Sequence, residues 1–233
     1  LVDSVKDLFY TTIKSISAAL DARDAYTHGH SLRVTLYSLI MAEAMGIGEE
    51  GQELIETMGL LHDIGKIGIP DSILNKPGRL TEEEFEVIKT HPEQGKIILK
   101  DIKKLNSIAQ WLACHHERWD GRGYPYHFKG EQIPFSARIV AIADTYDAMT
   151  SDRSYRKGLP HEVALGEIQK CSGSQFDPSC VAVFVKVQST ILAAKNDPDT
   201  YYEKYSKISK FFRSLRERSL QGTANSQPQQ SGS

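Results

Sequence analysis

The chain has 233 residues, 40% of them apolar and 25% charged, which is enough for a sizeable core and ordinary for a soluble globular domain. Its 28 basic and 30 acidic residues sum to −2, which excludes a whole-surface nucleic-acid binder and an acidic-tail protein but leaves room for a local basic pocket. No apolar run approaches the ~18 residues that span a bilayer, and no signal-peptide pattern opens the chain. Taken in order, the segments read helical nearly throughout. Val5, Leu8, Phe9, Ile13, Ile16 and Leu20 recur at helical spacing and predict a first amphipathic helix. A second is expected from about Ser31 to Met45, stopping near Gly46 and Gly48. A third runs from about Glu50 into the His62 region and ends around Gly65. Thr81 and Glu84 form a capping box that opens a helix carrying Phe85, Ile88 and His91, with Pro92 interrupting or kinking it. Another helix carries Ile108, Trp111, Leu112 and His115.

Between Asp120 and Pro134 the residues Gly121, Gly123, Pro125, Gly130 and Pro134 predict a long loop, of the kind that usually serves function. Helix is expected again from about Ser136 to Asp152 and from Pro160 to Cys171. It returns after Asp177-Pro178, with Asp as cap and Pro in the first turn. No period-2 strand pattern and no internal repeat stand out. The fold class expected is therefore all-α, a helical bundle. Asn196-Asp197-Pro198-Asp199 reads as a turn or linker. Beyond it, Tyr202, Tyr205, Ile208, Phe211, Phe212 and Leu215 make an apolar helix face, expected to dock on its own domain, with a partner or membrane-surface role as the alternative. The domain division expected is 1–190, a C-terminal amphipathic helix over 191–221, and a disordered Gln/Ser/Gly/Pro tail over 222–233.

Five clusters carry the chemistry: His28-Gly29-His30, His62-Asp63, His91, His115-His116 and Asp144. A lone histidine on an apolar helix is usually a core residue, and a His-Asp pair arises by chance. The number of these histidines and their placement on helices make the case for metal. Imidazole with carboxylate suits Fe, Mn, Zn, Ni or Co, and Mg less well. Ligands tens of residues apart must come from several helices projecting into a bundle core. Adjacent ligands such as His62-Asp63 point about 100° apart on a helix, so one can hold a single ion while the carboxylate bridges to a second. An unusually His-rich core is the alternative. Lys66, three residues after Asp63, shares the face if the helix continues, and suits either a phosphate oxygen or a pair with Asp63. Arg138, Arg153 and Arg156 can read phosphate bidentately or form a surface ion-pair network.

His62-Asp63-Ile64-Gly65-Lys66, followed by His115-His116-Glu117-Arg118-Trp119-Asp120-Gly121-Arg122-Gly123-Tyr124-Pro125, resembles the HD-GYP domain. The match extends through Ile69-Pro70-Asp71, Lys76-Pro77-Gly78, Asp144-Thr145-Tyr146-Asp147-Ala148 and Ser151-Asp152-Arg153-Ser154-Tyr155-Arg156, and covers roughly residues 5–190. The resemblance implies an all-helical fold and hydrolysis of bacterial cyclic di-GMP to pGpG, and often on to GMP. It implies a binuclear or trinuclear centre, commonly of iron or manganese. The implied ligands are His30, His62, Asp63, His91, His115, His116 and Asp144, with Asp63 bridging; Asp63 and Lys66 are the expected catalytic groups. Lys66, Tyr124, Arg153 and Arg156 match substrate-contacting positions. In the trinuclear subset a Glu stands four residues before the first histidine ligand. Tyr26 stands there in this chain, so two divalent ions are expected, Fe or Mn first, with Zn, Ni, Co and Mg as alternatives. His28 matches no ligand position and is expected at the rim.

The expected partners are cyclic di-GMP, a diguanylate cyclase (GGDEF) domain docking on the GYP loop, and an upstream sensor or receiver domain; no DNA is expected, and a homodimer is open. The alternatives are a non-catalytic cyclic di-GMP receptor or cyclase-docking module, and a phosphohydrolase of another cyclic dinucleotide. The odd three cysteines, Cys114, Cys171 and Cys180, lack a CxxC spacing and suggest a reducing, cytoplasmic setting. Leu1 in place of a starting Met suggests a fragment or a processed form.

Overall fold

A computed structural model describes residues 2–24, 29–103, 105–152, 157–211 and 214. Among these the helices are α1 (Val2–Arg23), α2 (His30–Ala44), α3 (Glu49–Leu61), α4 (Asp71–Leu74), α5 (Glu82–Ile88), α6 (His91–Leu99), α7 (Asn106–Leu112), α8 (Phe135–Thr150), α9 (His161–Lys170), α10 (Pro178–Asn196) and α11 (Pro198–Tyr205). Two 3-10 turns, Ile64–Gly68 and Gly130–Gln132, complete them, and no strand occurs among the described residues. The all-α expectation holds. The centre of the bundle is α2, which packs against α3, α8, α10 and α11. Its Val34, Leu36, Tyr37, Leu39 and Met41 are wholly buried, as suits a helix apolar on nearly every side. Each such side chain contributes roughly 1.5–3 kcal/mol by leaving water.

Local signals act as expected at several ends. Glu84 N–H donates to Thr81 Oγ1 at 3.2 Å and Thr81 N–H to Glu84 Oε2 at 2.8 Å, so the capping box opens α5. The Asp177 carboxylate accepts Ser179 N–H at 2.8 Å and starts α10. Pro92 lies in the first turn of α6, so it starts a second helix where a kink was the other possibility. Two helices stop earlier than their periodicity suggests. The α-helix of α3 ends at Leu61, and the chain tightens into the 3-10 turn Ile64–Gly68. The reason is Gly65: a Cβ there would lie 1.8 Å from the His91 carbonyl oxygen and 2.5 Å from Gly95 N, so only bare backbone fits this close to α6. Similarly α7 ends at Leu112, because the Leu112 carbonyl is taken by His115, through its N–H at 3.2 Å and its ring at 2.6 Å.

The C-terminal part differs most from its expected form. Residue 190 lies inside α10, which continues to Asn196. Asp197 caps α11, and Ser206 (ψ 128°) breaks what read as one amphipathic helix before a short helical turn over 207–211. The break is made by Glu56 of α3, a fully buried carboxylate. It accepts Tyr202 OH at 2.8 Å, Lys207 N–H at 2.7 Å, Ile208 N–H at 3.1 Å and the Ser206 hydroxyl. Phe211 packs edge-to-face on Tyr10 of α1 at 5.6 Å. This segment therefore docks on its own domain. The tail over 222–233 lies outside the described residues.

Candidate metal centre

His62, His91 and His115 share one local device. The Nδ1 of each lies against the carbonyl three residues upstream: Gly59 at 2.7 Å, Ile88 at 2.7 Å and Leu112 at 2.6 Å. These carbonyls belong to the last turns of α3, α5 and α7, where a helix leaves oxygens without partners. At Ile88 the partner four residues on would be Pro92, which has no N–H. A carbonyl only accepts, so each Nδ1 carries the proton and each neutral Nε2 presents a lone pair to the interior. The His91 and His115 Nε2 atoms then face one another at 3.3 Å with no proton between them. His62 Nε2 is buried without a hydrogen-bond partner. Burial, reinforced by neighbouring rings, holds His115 well below its usual range. Burial likewise lowers His91 to about 3. His116 is also lowered by burial. The Nε2 lone pairs of His91 and His115 are thus free at neutral pH.

The ligand atoms form two groups, each within 4.8 Å internally: His91, His115 and His116, and His30, His62 and Asp144. Asp63, the residue after α3's cap, stands between them. Its Oδ1 lies 3.4 Å from His91 Nε2, and its Oδ2 lies 3.5 Å from His62 Nε2 and 3.9 Å from His30 Nε2. Burial would raise its pKa, but Lys66 and then the surrounding histidines hold it well below the carboxylate range. Asp144 is similarly lowered, by the His30 hydrogen bond against the effect of burial. Ionised carboxylates, apposed lone pairs and an unpartnered buried nitrogen are what a divalent cation satisfies, so this donor set fits the metal that spacing suggested.

His30 begins α2 and is held by Asp147 of α8, one turn after Asp144. Its Nδ1 lies 2.8 Å from Asp147 Oδ2, and its Nε2 lies 3.3 Å from Asp144 Oδ1. Burial opposes a charge on His30, but these two hydrogen bonds raise its pKa to about 10. Arg33, one turn after His30, grips the same Asp147 at 2.7 Å and 2.9 Å. Asp147 and Arg33 were missed as site residues. The available signal was their spacing, each i+3 from a candidate ligand on its own helix.

Lys66 occupies the 3-10 turn, where residues three apart eclipse, so it aligns with Asp63 and not with His62. Its Nζ lies 2.8 Å from Asp63 Oδ2 and 3.2 Å from Asp24 Oδ2. Burial disfavours its charge, but the two carboxylates raise its pKa overall. Lys66 lines a cavity of about 360 Å³ with His30, Asp63, His91, His116 and Asp144. Tyr124 lines the same cavity and stacks on His116 at 4.9 Å and 29°. A second hollow of about 300 Å³ continues past Tyr124 and is edged by Lys89, Arg118 and Arg122.

The segment between α7 and α8 is shaped by Glu117, which accepts Tyr126 N–H at 2.6 Å and Phe128 N–H at 3.1 Å. Gly123 lies against it so closely that a Cβ would fall 2.4 Å from Arg118 N. Arg138 donates to Ile133 O, Glu131 O and Asp177 Oδ2, a largely buried set of contacts where a surface ion-pair network was the structural expectation. Arg153, Arg156, Tyr26 and His28 lie outside the described residues. Cys114 is buried, donates to Gln110 O at 3.4 Å, and has its thiol pushed up to about 12 by burial, as befits core packing. All three cysteines are free, and no described helix is long and apolar enough to cross a membrane.

Comparison with known proteins gives the family. The HD domain matches residues 14–180. A cyclic di-GMP phosphodiesterase of Thermotoga maritima is 43% identical over 188 residues, covering 80% of this chain and 51% of that protein. A 3′3′-cGAMP-specific phosphodiesterase of Vibrio cholerae is 36% identical over 197 residues, covering 84% of this chain and 37% of the other. The chain thus spans about half of the first of these relatives and less of the second. Among solved structures, a cyclic GMP-AMP specific phosphodiesterase of V. cholerae superposes with a TM-score of 0.59 at 20% identity, covering 88% of this chain and 53% of that one. This chain belongs to the HD domain family.

Proposed function

We propose that the domain is a metal-dependent phosphodiesterase that hydrolyses cyclic di-GMP to pGpG and/or GMP. The observation that carries this reading is the pair of three-ligand groups joined by Asp63 at the wall of a cavity that also holds Lys66. His30, His62 and Asp144 would hold one ion, His91, His115 and His116 the other, and Asp63 would bridge them, with Fe or Mn as the native pair. Two divalent cations supply Lewis acidity toward phosphoryl oxygens and ionise water at neutral pH.

The chain's own groups do the rest. Lys66 spends two of its three N–H bonds on Asp63 and Asp24, which leaves one for a non-bridging phosphate oxygen. Tyr124, backed by His116 and kept protonated by burial and by the Asp144 and Asp63 charges, offers a flat face to a base. Arg153 and Arg156 are assigned to the second phosphate. Water adds to phosphorus, the bond from phosphorus to the 3′-oxygen breaks, and that oxygen leaves with a proton. The product carries a 5′-phosphate and a 3′-hydroxyl. No protein nucleophile is required.

The test is anaerobic purification with metal quantification, then product chromatography on the same sample. Turnover of cyclic di-GMP that scales with metal supports the reading. Binding without turnover in fully metallated protein supports a receptor role and overturns it. The Vibrio relative's name gives a second reading, hydrolysis of 3′3′-cGAMP. It gains ground if that substrate is turned over faster in a side-by-side panel.

A further inference from the structure

Lys66 rides on a five-residue 3-10 turn, which is a weak scaffold for a side chain that must be held to a fraction of an ångström. At its two ends the turn is closed by Lys66 N–H to Asp63 O at 2.9 Å and by Ile69 N–H to Lys66 O at 3.0 Å. A further fastening comes from the far end of α1. Arg23, the last residue of that helix, donates from Nη1 to Lys66 O at 2.7 Å, from Nη2 to Ile69 O at 2.6 Å, and from Nε to Asp71 Oδ1 at 3.1 Å. Asn75 Nδ2 donates back to Arg23 O at 3.3 Å. One planar fork therefore joins three acceptors over residues 66–71, a geometry that lysine's single ammonium cannot copy. The next residue, Asp24, is almost fully buried and takes the Lys66 ammonium itself at 3.2 Å. Arg23 touches none of the seven ligand residues.

We propose that Arg23 and Asp24 are positioning residues for Lys66: Arg23 fixes the backbone under it, and Asp24 fixes the angle of its ammonium. Without Asp24, the buried ammonium keeps Asp63 Oδ2, the oxygen that also faces His30 and His62, and turns inward onto the metal ligands. With Asp24, the ammonium is stretched between two carboxylates and keeps one N–H for the cavity. The inference rests on the phosphate role assigned to Lys66 above.

The experiment is a double-mutant cycle on metal-loaded protein. Arg23→Ala, Arg23→Lys and Asp24→Asn are each made with Lys66 present and with Lys66→Ala. Metal content, kcat and KM for cyclic di-GMP are read for all. In the Lys66 background each variant is expected to lose about 10- to 100-fold in kcat at unchanged metal content. In the Lys66→Ala background each is expected to cost less than about twofold more, since its effect passes through the missing lysine. Equal losses in both backgrounds would show a merely structural role and overturn the proposal, as would Arg23→Lys at full activity. Should Arg23→Ala not fold, Asp24→Asn carries the same cycle. If the native protein does not hydrolyse cyclic di-GMP, the functional reading fails separately, and the cycle is read as calorimetric affinity for inorganic phosphate. There, coupling to Lys66 supports the positioning role, and additivity overturns it.

Discussion

Each of His62, His91 and His115 ties a helix-end carbonyl to a lone pair, so removing one ring frees an oxygen and deletes a proposed ligand together. His62→Ala and Asp63→Ala are expected to abolish metal content and hydrolysis while far-UV circular dichroism stays helical. Activity retained by Asp63→Ala with Mn or Fe supplied contradicts the bridging role. The titration of the cage has two opposite parts. His91 takes a proton at about 3 when folded and near 6.5 when unfolded, so it contributes stability above pH 6.5 that is lost as pH falls toward 3. His30, raised to about 10, contributes below 6.5 and loses its contribution as pH rises through 10. Its proton also occupies Nε2, the atom a cation needs. Metal uptake by apo protein at pH 7.5 is therefore expected to release a proton. Calorimetry in two buffers of different ionisation enthalpy measures it, and identical heats in both would refute the exchange.

Among the elements, the 3-10 turn and α6 approach as closely as they do only because Gly65 has no side chain. Gly65→Ala is expected to cost about 1–3 kcal/mol in urea unfolding and to weaken metal binding, because parting these two elements separates Asp63 from His91. A stability change without a change in metal affinity would mean that the two are independent. Much at this scale was legible beforehand. Helical period, the Thr81–Glu84 box and the Asp177-Pro178 start each rest on contacts within a few residues, which spacing encodes. The early ends of α3 and α7 were not, since each is set by backbone approach or by a side-chain tautomer. The site divides in the same way. The histidines stand out by type and place. Spacing places Arg33 and Asp147 beside candidate ligands, but their pairing across 114 residues, like the grip of Arg23 on residues 66–71, is one that only the fold creates.

At the scale of the whole molecule, two of the long-range ties among the described residues stand out. One is the cage itself, which draws on residues from α2, α6 and α8 and from the turns after α3 and α7. Chelation is expected to lower Tm, and re-added Mn or Fe to raise it in proportion to the logarithm of free ion concentration. Scanning calorimetry against buffered metal tests this, and a Tm indifferent to metal counts against the centre. The other tie is Glu56. Glu56→Ala strips the acceptor from Tyr202, Ser206, Lys207 and Ile208 and is expected to cost about 3 kcal/mol, with Glu56→Gln costing less. Equilibrium denaturation of both variants checks the order.

That carboxylate works as a buckle for a belt. The HD match stops at residue 180, yet the strand of chain that fastens over α3 closes only at 206–208. Anyone trimming this protein to the edges of its motif would cut the belt and keep the buckle, stripping Glu56 of its partners and baring the flank of the central helix. Such a shortened form should clump on expression even with every histidine and aspartate of the cage intact.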